Sequence, residues 1–155
     1  MKNKIILLVV VSFTFLACKK EEKQETTDEM KSEMPQEATA ASTECYEFVK
    51  GKDTISGTFL IQDNTVTGDL KYNLFQKDKN AGTITGTIIG DTLLADYSFI
   101  SEGITSVRQI VFLRKNKTLT EGFGEIEEKE NKMVLKDLKK VNFTSGIVLN
   151  EIPCK

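Results

Sequence analysis

The sequence predicts an all-β domain in which a single antiparallel meander closes into a small barrel of about eight strands. Three observations lead to this prediction. Apolar and polar residues alternate over most of residues 44–155, short polar or glycine-containing turns separate the runs, and a cysteine lies near each end of the region. A sandwich of two sheets fits the same pattern and is the alternative architecture.

The N-terminal segment has the charge and length of a secretory signal. Two lysines precede an apolar run over residues 5–16, which is shorter than the roughly 20 residues that span a bilayer. The run ends in Leu16-Ala17-Cys18, which resembles a bacterial lipobox. The resemblance implies cleavage of residues 1–17 as a signal peptide and acylation of Cys18, palmitate included. An ordinary cleavable signal followed by an unrelated cysteine is the alternative.

Residues 18–43 are predicted to form a disordered linker after the lipidated cysteine. The segment contains no aromatic residue and is mostly Lys, Glu, Gln and Thr, so it cannot bury enough apolar surface to fold. Its start, Lys20-Glu21-Glu22, resembles the signal that exports Bacteroidota lipoproteins to the outer face of the outer membrane. We therefore expect a lipid-anchored, surface-exposed protein. A plain charge run on a protein facing the periplasm is the alternative.

The clearest hairpin lies near the start of the predicted domain, residues 44–155. Two alternating runs, 54–62 and 65–74, each place apolar residues on one face and polar residues on the other. Asp63 and Asn64 lie between the runs. Both residue types tolerate positive φ, which a two-residue hairpin turn requires.

Further alternating runs bring the number of candidate strands to eight. They cover residues 46–49, 84–88, 93–99, 107–115, 118–126 and 132–137. Gly90-Asp91 supplies a second tight turn. The tail, 141–154, is ambiguous and is predicted to hold either one more strand or a short helix. Glycines should let the strands bend sharply enough to close a small barrel; they are Gly57, Gly68, Gly82, Gly86 and Gly90.

Two cysteines bracket the predicted domain. If Cys18 carries lipid, Cys45 and Cys154 are left to pair with each other in an oxidising envelope. Such a disulfide requires the two ends of the domain to meet, with the Cα atoms within about 7 Å. Two buried free thiols are the alternative.

The composition excludes several classes of function. The chain has no histidine, which rules out histidine-dependent catalysis and the usual zinc sites. Its net charge is −2, and loss of the N-terminal lysines makes it more negative, so nucleic acid is not expected as a partner. We expect no cofactor and no metal.

Several motifs together resemble a group of small outer-membrane lipoproteins of Bacteroidota for which no activity is established. The motifs are Gly82-Thr83-Ile84-Thr85-Gly86, Gly90-Asp91-Thr92-Leu93, Thr120-Glu121-Gly122-Phe123-Gly124, and the turn Ser101-Glu102-Gly103 followed by Ser106 and Arg108. The resemblance covers most of residues 45–125. It implies a lineage and a fold type.

A cluster of polar residues is the candidate binding site. Arg108 is one of only two arginines, and Glu121 falls on the apolar phase of its strand, where an acid needs a partner. We predict that Glu102, Ser106, Arg108 and Glu121 meet at one mouth of the barrel, together with Tyr72 or Tyr97. An internal salt bridge that fixes strand register is the alternative interpretation.

The expected function is non-catalytic binding of a small ligand or of an envelope or host protein. The alternative is an inhibitor similar to small periplasmic lysozyme inhibitors, which insert a Ser-Gly-containing loop into an enzyme cleft; here the loop is the turn from Ser101 to Arg108. An enzyme would need acid–base work from Glu102, Glu121 or Asp96.

Two threonines resemble acceptors for the O-glycosylation found in envelope proteins of the same phylum. Thr54 and Thr92 each follow an aspartate and precede an apolar residue. Both are predicted to lie where a turn joins a strand. An ordinary turn residue that begins a strand is the alternative.

Overall fold

A computed structural model describes residues 40–77 and 79–155, and these residues form an all-β structure. The predicted signal peptide, Cys18, and all but the end of the predicted linker lie outside the described residues. Ten strands follow one another: β1 Ser42–Lys50, β2 Asp53–Gln62, β3 Thr65–Asn73, β4 Asn80–Ile89, β5 Thr92–Ser101, β6 Ile104–Lys115, β7 Thr118–Glu121, β8 Ile126–Lys129, β9 Lys132–Leu135 and β10 Val148–Ile152. A 3-10 helix covers Leu138–Lys140. No helix in this part of the chain is long and apolar enough to cross a membrane.

Eight of the strands close into an antiparallel barrel. Strands β1 to β6 each pair with the next strand in sequence, so that the series ends with β6 beside β7, and β10 pairs with both β7 and β1. Closure removes every open edge from the barrel wall within the described residues. The predicted barrel is therefore confirmed, and the two-sheet alternative is wrong.

The predicted strands are wrong in the C-terminal part of the domain. The predicted strand 118–126 breaks after Glu121, because a Cβ at Gly122 would collide with Phe143 and Val141, which pack against the backbone there. The predicted strand 132–137 is no barrel strand. Instead β8 and β9 form a side hairpin, which joins β6 through a parallel bridge between Arg108 and Met133. The ambiguous tail supplies the eighth barrel strand, β10.

The two ends of the barrel differ, and we name them by their connections. The upper end carries the connections β1–β2, β3–β4 and β5–β6, whereas the lower end carries β2–β3, β4–β5 and β6–β7. At the lower end Cys45 and Cys154 form a disulfide with a Cα–Cα distance of 5.3 Å, as predicted. Strand β1 begins at this lower end, at Ser42, slightly before the predicted domain boundary.

The local predictions about turns are also confirmed. Asp63 and Gly90 have φ values of 53° and 58° in the β2–β3 and β4–β5 turns. Thr54 and Thr92 lie at the starts of β2 and β5, where both are half-buried.

The barrel's own side chains fill its centre. The side chains packed there are at most 1% exposed; they include Ile55, Phe59, Val66, Leu70, Ile84, Leu93, Tyr97, Phe112, Leu119 and Leu149. Along β2 and β3, interior residues alternate with outward-facing residues that are mostly polar. The centre of the barrel is thus a packed core.

Candidate binding site at the upper end of the barrel

Strand periodicity places the predicted polar residues on the inner face of the barrel wall. On β6, Ser106 and Arg108 share the inward phase with buried Ile110 and Phe112. Glu121, the last residue of β7, lies opposite Phe112 and therefore faces the same side. The three polar residues thus lie above the packed core, toward the upper end.

Arg108 lies among three aromatic rings. Its guanidinium carbon is 5.1 Å from the ring centroid of Tyr72, 5.4 Å from that of Tyr97 and 5.5 Å from that of Phe99. Contacts of this kind between a cation and ring faces stabilise by roughly 0.5–2 kcal/mol each. The Nε atom of Arg108 is buried and has no hydrogen-bond partner among the described residues. The three rings thus pack around the guanidinium, while one of its hydrogen-bond donors, Nε, has no acceptor in the described part of the chain.

Glu121 is the one buried charged residue of the described chain and is 6% exposed. Its Oε1 accepts a hydrogen bond of 2.8 Å from the Tyr72 hydroxyl. Burial raises the pKa of the Glu121 carboxyl, and the Tyr72 hydrogen bond and the charge of Arg108 oppose this only in part. Burial, followed by the charge of Glu121, raises the pKa of Tyr72 well above its usual value. Tyr72 therefore remains a hydrogen-bond donor.

Tyr97 completes the support beneath Arg108. Its hydroxyl donates a 3.0 Å hydrogen bond to the carbonyl oxygen of Leu70, and burial raises its pKa to about 12. Its ring stacks on Phe99 with centroids 4.9 Å apart. The aromatic platform for the arginine is thus fixed by the core below it.

Two cavities meet at this cluster, and both are lined by Arg108, Glu121 and Phe123. The first, of about 420 Å³, extends toward the side hairpin, and its apolar lining includes Phe99, Ile110, Ile126, Met133 and Leu135. The second, of about 590 Å³, opens among Tyr72, Leu74, Asn80 and Ile147. Both volumes fall within the roughly 300–1,000 Å³ that is typical of small-molecule sites.

The structure brings together most of the predicted cluster. Ser106, Arg108 and Glu121 all line the first cavity, and both Tyr72 and Tyr97 contact Arg108. Glu102 does not join them. It lies exposed in the β5–β6 turn with a φ of 50°, and it lines neither of the two cavities. The turn carries it past the rim, since Ile104, on the inward phase, is 68% exposed.

Sequence reasoning missed the apolar half of the site. The sequence pattern predicts Met133 and Leu135 in a barrel strand, whereas the structure has them in the side hairpin, which brings them beside Arg108. Phe123 follows the break after β7 and lines both cavities. The signal in the sequence is the glycine on each side of Phe123, Gly122 and Gly124, because glycine weakens a continuous strand.

A second polar cluster, at the lower end, has a structural explanation. Arg114 Nη2 contacts both carboxylate oxygens of Glu44, at 2.8 and 2.9 Å, and the Tyr46 hydroxyl donates to the same carboxylate at 2.6 Å. Burial, together with Glu44, raises the pKa of Tyr46 to about 12. These contacts satisfy the polar groups involved and join β1 to β6.

Replacement of Glu121 by glutamine is expected to change how stability depends on pH. Because its pKa is raised in the folded state, the folded protein binds a proton more readily than the unfolded chain. Stability therefore falls as pH rises from the unfolded pKa, near 4.5, to the raised folded value. Urea denaturation of both proteins should show the wild type losing stability relative to Glu121→Gln across this window. A difference that is constant with pH would contradict the raised pKa.

The site contains no obvious place for a metal ion. Among residues 40–77 and 79–155, no group of three or more Cys, Asp or Glu side chains is arranged to hold one. What the geometry offers is a cationic donor, a carboxylate, hydroxyl groups and an apolar wall.

Comparison with known proteins identifies no relative: no protein-family model, no curated protein and no solved structure matches the chain. The functional argument therefore depends on the site itself.

Proposed function

We propose that the protein is a lipid-anchored bacterial outer-membrane lipoprotein, displayed at the cell surface, whose barrel is a non-catalytic binding module. The anchor is supported by the signal-like segment, the lipobox-like ending at Cys18 and the polar linker. Two or more acyl chains on one residue make such an anchor effectively stable. The binding site is the cluster of Ser106, Arg108 and Glu121 at the upper end.

The unsatisfied Nε donor of Arg108 is the observation that carries the binding proposal. A buried polar group without a partner costs roughly 1–3 kcal/mol, more when it is charged, so such groups are uncommon. Arg108, the residue that carries this donor, lines both ligand-sized cavities. A ligand acceptor would remove that cost on binding.

The alternative, an internal salt bridge that fixes strand register, is less well supported. Among the described residues no ion pair joins Arg108 to Glu121; the carboxylate is hydrogen-bonded to Tyr72 instead. A pair that serves only structure is expected to satisfy both charges directly, as Arg114 and Glu44 do at the lower end.

A non-catalytic role is supported by the separation of the three carboxylates considered for acid–base work. Asp96 lies on the outer face of β5 and accepts a 2.6 Å hydrogen bond from Lys132 Nζ. Glu102 is in the exposed turn, and only Glu121 is in the site. Paired acid–base chemistry needs two such groups on one substrate.

Anchoring is tested by Cys18→Ser. In cells labelled with palmitate, the wild-type chain should carry label and fractionate with the outer membrane, while the variant should carry none. Protease added to intact cells should remove the wild-type domain if it faces outward. Protection from protease in intact cells, with digestion after outer-membrane permeabilisation, would place it on the periplasmic face and contradict surface display.

Binding is tested with the oxidised domain, residues 40–155, which lie in one compact unit of the chain. An organic extract of the producer's envelope should raise the melting temperature of the wild type. Arg114→Lys, the same type of change at the other arginine, should respond equally, and Arg108→Lys should respond less. An equal response of all three proteins would contradict a site at Arg108.

The β5–β6 hairpin favours one other candidate function, that of a lysozyme inhibitor. Ile100 and Ile104 flank the Ser101-Glu102-Gly103 turn and are 61% and 68% exposed, so the tip offers an apolar surface beyond the rim. Ser106 and Arg108 belong to the barrel interior and would not enter a cleft with the tip. If the candidate is right, shortening the tip abolishes inhibition of lysozyme by the domain; absence of inhibition by the intact domain contradicts it.

A further inference from the structure

We propose that the upper-end site binds an amphiphilic monoanion, with one carboxylate or phosphate head at Arg108 and an apolar tail in the cavity beside the side hairpin. The inference rests on the proposed binding function and names the chemical class of its ligand.

The head group is argued from Arg108. Tyr72, Tyr97 and Phe99 pack around the guanidinium and keep other bases and acids away from its faces. Its buried Nε has no hydrogen-bond partner among the described residues, and a guanidinium presents its donors in a planar fork that matches a carboxylate or phosphate. Ser106, across the β5–β6 pair from Phe99, lines the same cavity with a hydroxyl. The site thus offers donors to an anion.

The tail is argued from the wall of the first cavity. Phe99, Ile110 and Leu135 form its inner part. Nearer the solvent, Phe123, Ile126 and Met133 are 46%, 53% and 36% exposed, an unusual amount of apolar surface to leave beside a cavity of about 420 Å³. An alkyl or aryl tail that leaves Arg108 along this wall would cover these side chains.

Glu121 limits the charge that the site accepts. A bound anion adds negative charge near its carboxylate, and a carboxylate beside a second anion takes up a proton more readily. The groups that face Glu121 are Tyr72 from β3, which donates to it, and Arg108 from β6. Binding of one anionic head is therefore expected to be coupled to protonation of Glu121. Among the described residues that line the first cavity Arg108 is the only cation, so a second charge on a ligand held there would lack a partner; Lys77 lines the second cavity.

The experiment compares three amphiphiles with equal alkyl chains on the oxidised domain by titration calorimetry: decanoate, decanol and decyltrimethylammonium. Decanoate should bind at least about tenfold more tightly than the other two, since a hydrogen bond that involves a charged group is roughly twice as strong as a neutral one. Decanoate should bind more tightly at pH 6 than at pH 8. In Glu121→Gln it should bind more tightly than in the wild type at pH 8, with the dependence on pH lost.

Two further variants keep the test decisive if a change at Arg108 impairs folding. Met133→Glu places a negative charge on the half-exposed wall of the cavity, away from the packed core, and should weaken decanoate binding at least about tenfold with near-UV circular dichroism unchanged. Arg114→Lys should bind decanoate as the wild type does. Flotation with phosphatidylglycerol vesicles separates two sources of the anion: capture indicates a membrane lipid, and decanoate binding without capture indicates a free acid.

Equal affinity for the three amphiphiles, or decanoate binding unchanged by Met133→Glu, would overturn the anionic ligand class. The broader binding function would survive that result if the envelope extract still stabilised the domain in an Arg108-dependent way. If the envelope extract also failed to stabilise the domain in an Arg108-dependent way, the broader binding function would be overturned as well.

Discussion

Replacement of both Cys45 and Cys154 by serine is expected to lower the free energy of unfolding of the domain by about 4–5 kcal/mol. The two residues are 109 positions apart, and in the chain-entropy account a cross-link across about 100 residues stabilises by roughly 4.7 kcal/mol. Few other single contacts approach this value in a domain whose total stability is of the order of 5–15 kcal/mol. Urea denaturation of the double variant and the wild type measures the difference.

Reduced wild-type protein is the matched control, because it loses the bond and keeps every other atom. It should unfold at the same urea concentration as the double variant. A difference below about 1 kcal/mol between oxidised and reduced protein would contradict the expectation. It would mean that the pairing of β1 with β10 holds the barrel closed without covalent help.

Replacement of Gly86 by valine is the second large change, with an expected loss of at least about 3 kcal/mol, the upper part of the range for overpacked cores. Gly86 lies opposite Ala95 across the β4–β5 pair. A Cβ there would overlap the carbonyl oxygen of Leu94 and the Cα of Ala95, and these backbone atoms cannot rotate away. The two strands would have to separate at this point to make room for the valine side chain.

Gly90→Asn is the control for this prediction. Gly90 is in the β4–β5 turn with a φ of 58°, nothing lies within 4 Å of a Cβ placed there, and asparagine tolerates this conformation. Its cost should be well below 1 kcal/mol. Thermal or urea unfolding of the two variants side by side checks the contrast, and equal losses would show that loss of glycine flexibility, and not the close approach of the strands, is responsible.

The parts of the fold that local pattern determines could be predicted from the sequence. The alternation over 54–62 and 65–74 and the turn at Asp63 follow from the two-residue period and from local φ preferences, and the structure has both. The break within the predicted strand 118–126 could not be predicted from this local pattern. Its break depends on Phe143 and Val141 packing against Gly122, and these residues follow only later in the chain.

The candidate site, too, could be predicted from the sequence only in part. Arg108 and Glu121 could be found because a charged residue on an apolar phase is a local anomaly. Glu102 is near Ser106 and Arg108 in sequence, but the β5–β6 turn takes it away from them in space. Phe99 and Met133 look like ordinary strand residues, and only the position of the side hairpin makes them part of a cavity. Proximity across the barrel is a property of the closed sheet and leaves no trace in a local pattern.

The position of the disulfide also determines how the barrel carries mechanical load. A pull on the chain that leads into Ser42 reaches Cys45 after three residues and is divided there between β1 and the C-terminal segment at Cys154. Beyond that point β1 is flanked along its length by β2, so the pull acts parallel to the strand and must shear many hydrogen bonds at once. Peeling, which breaks them one by one, is blocked at its starting point. A domain held at its lower end and engaged at its upper end would therefore bear tension along its strongest direction.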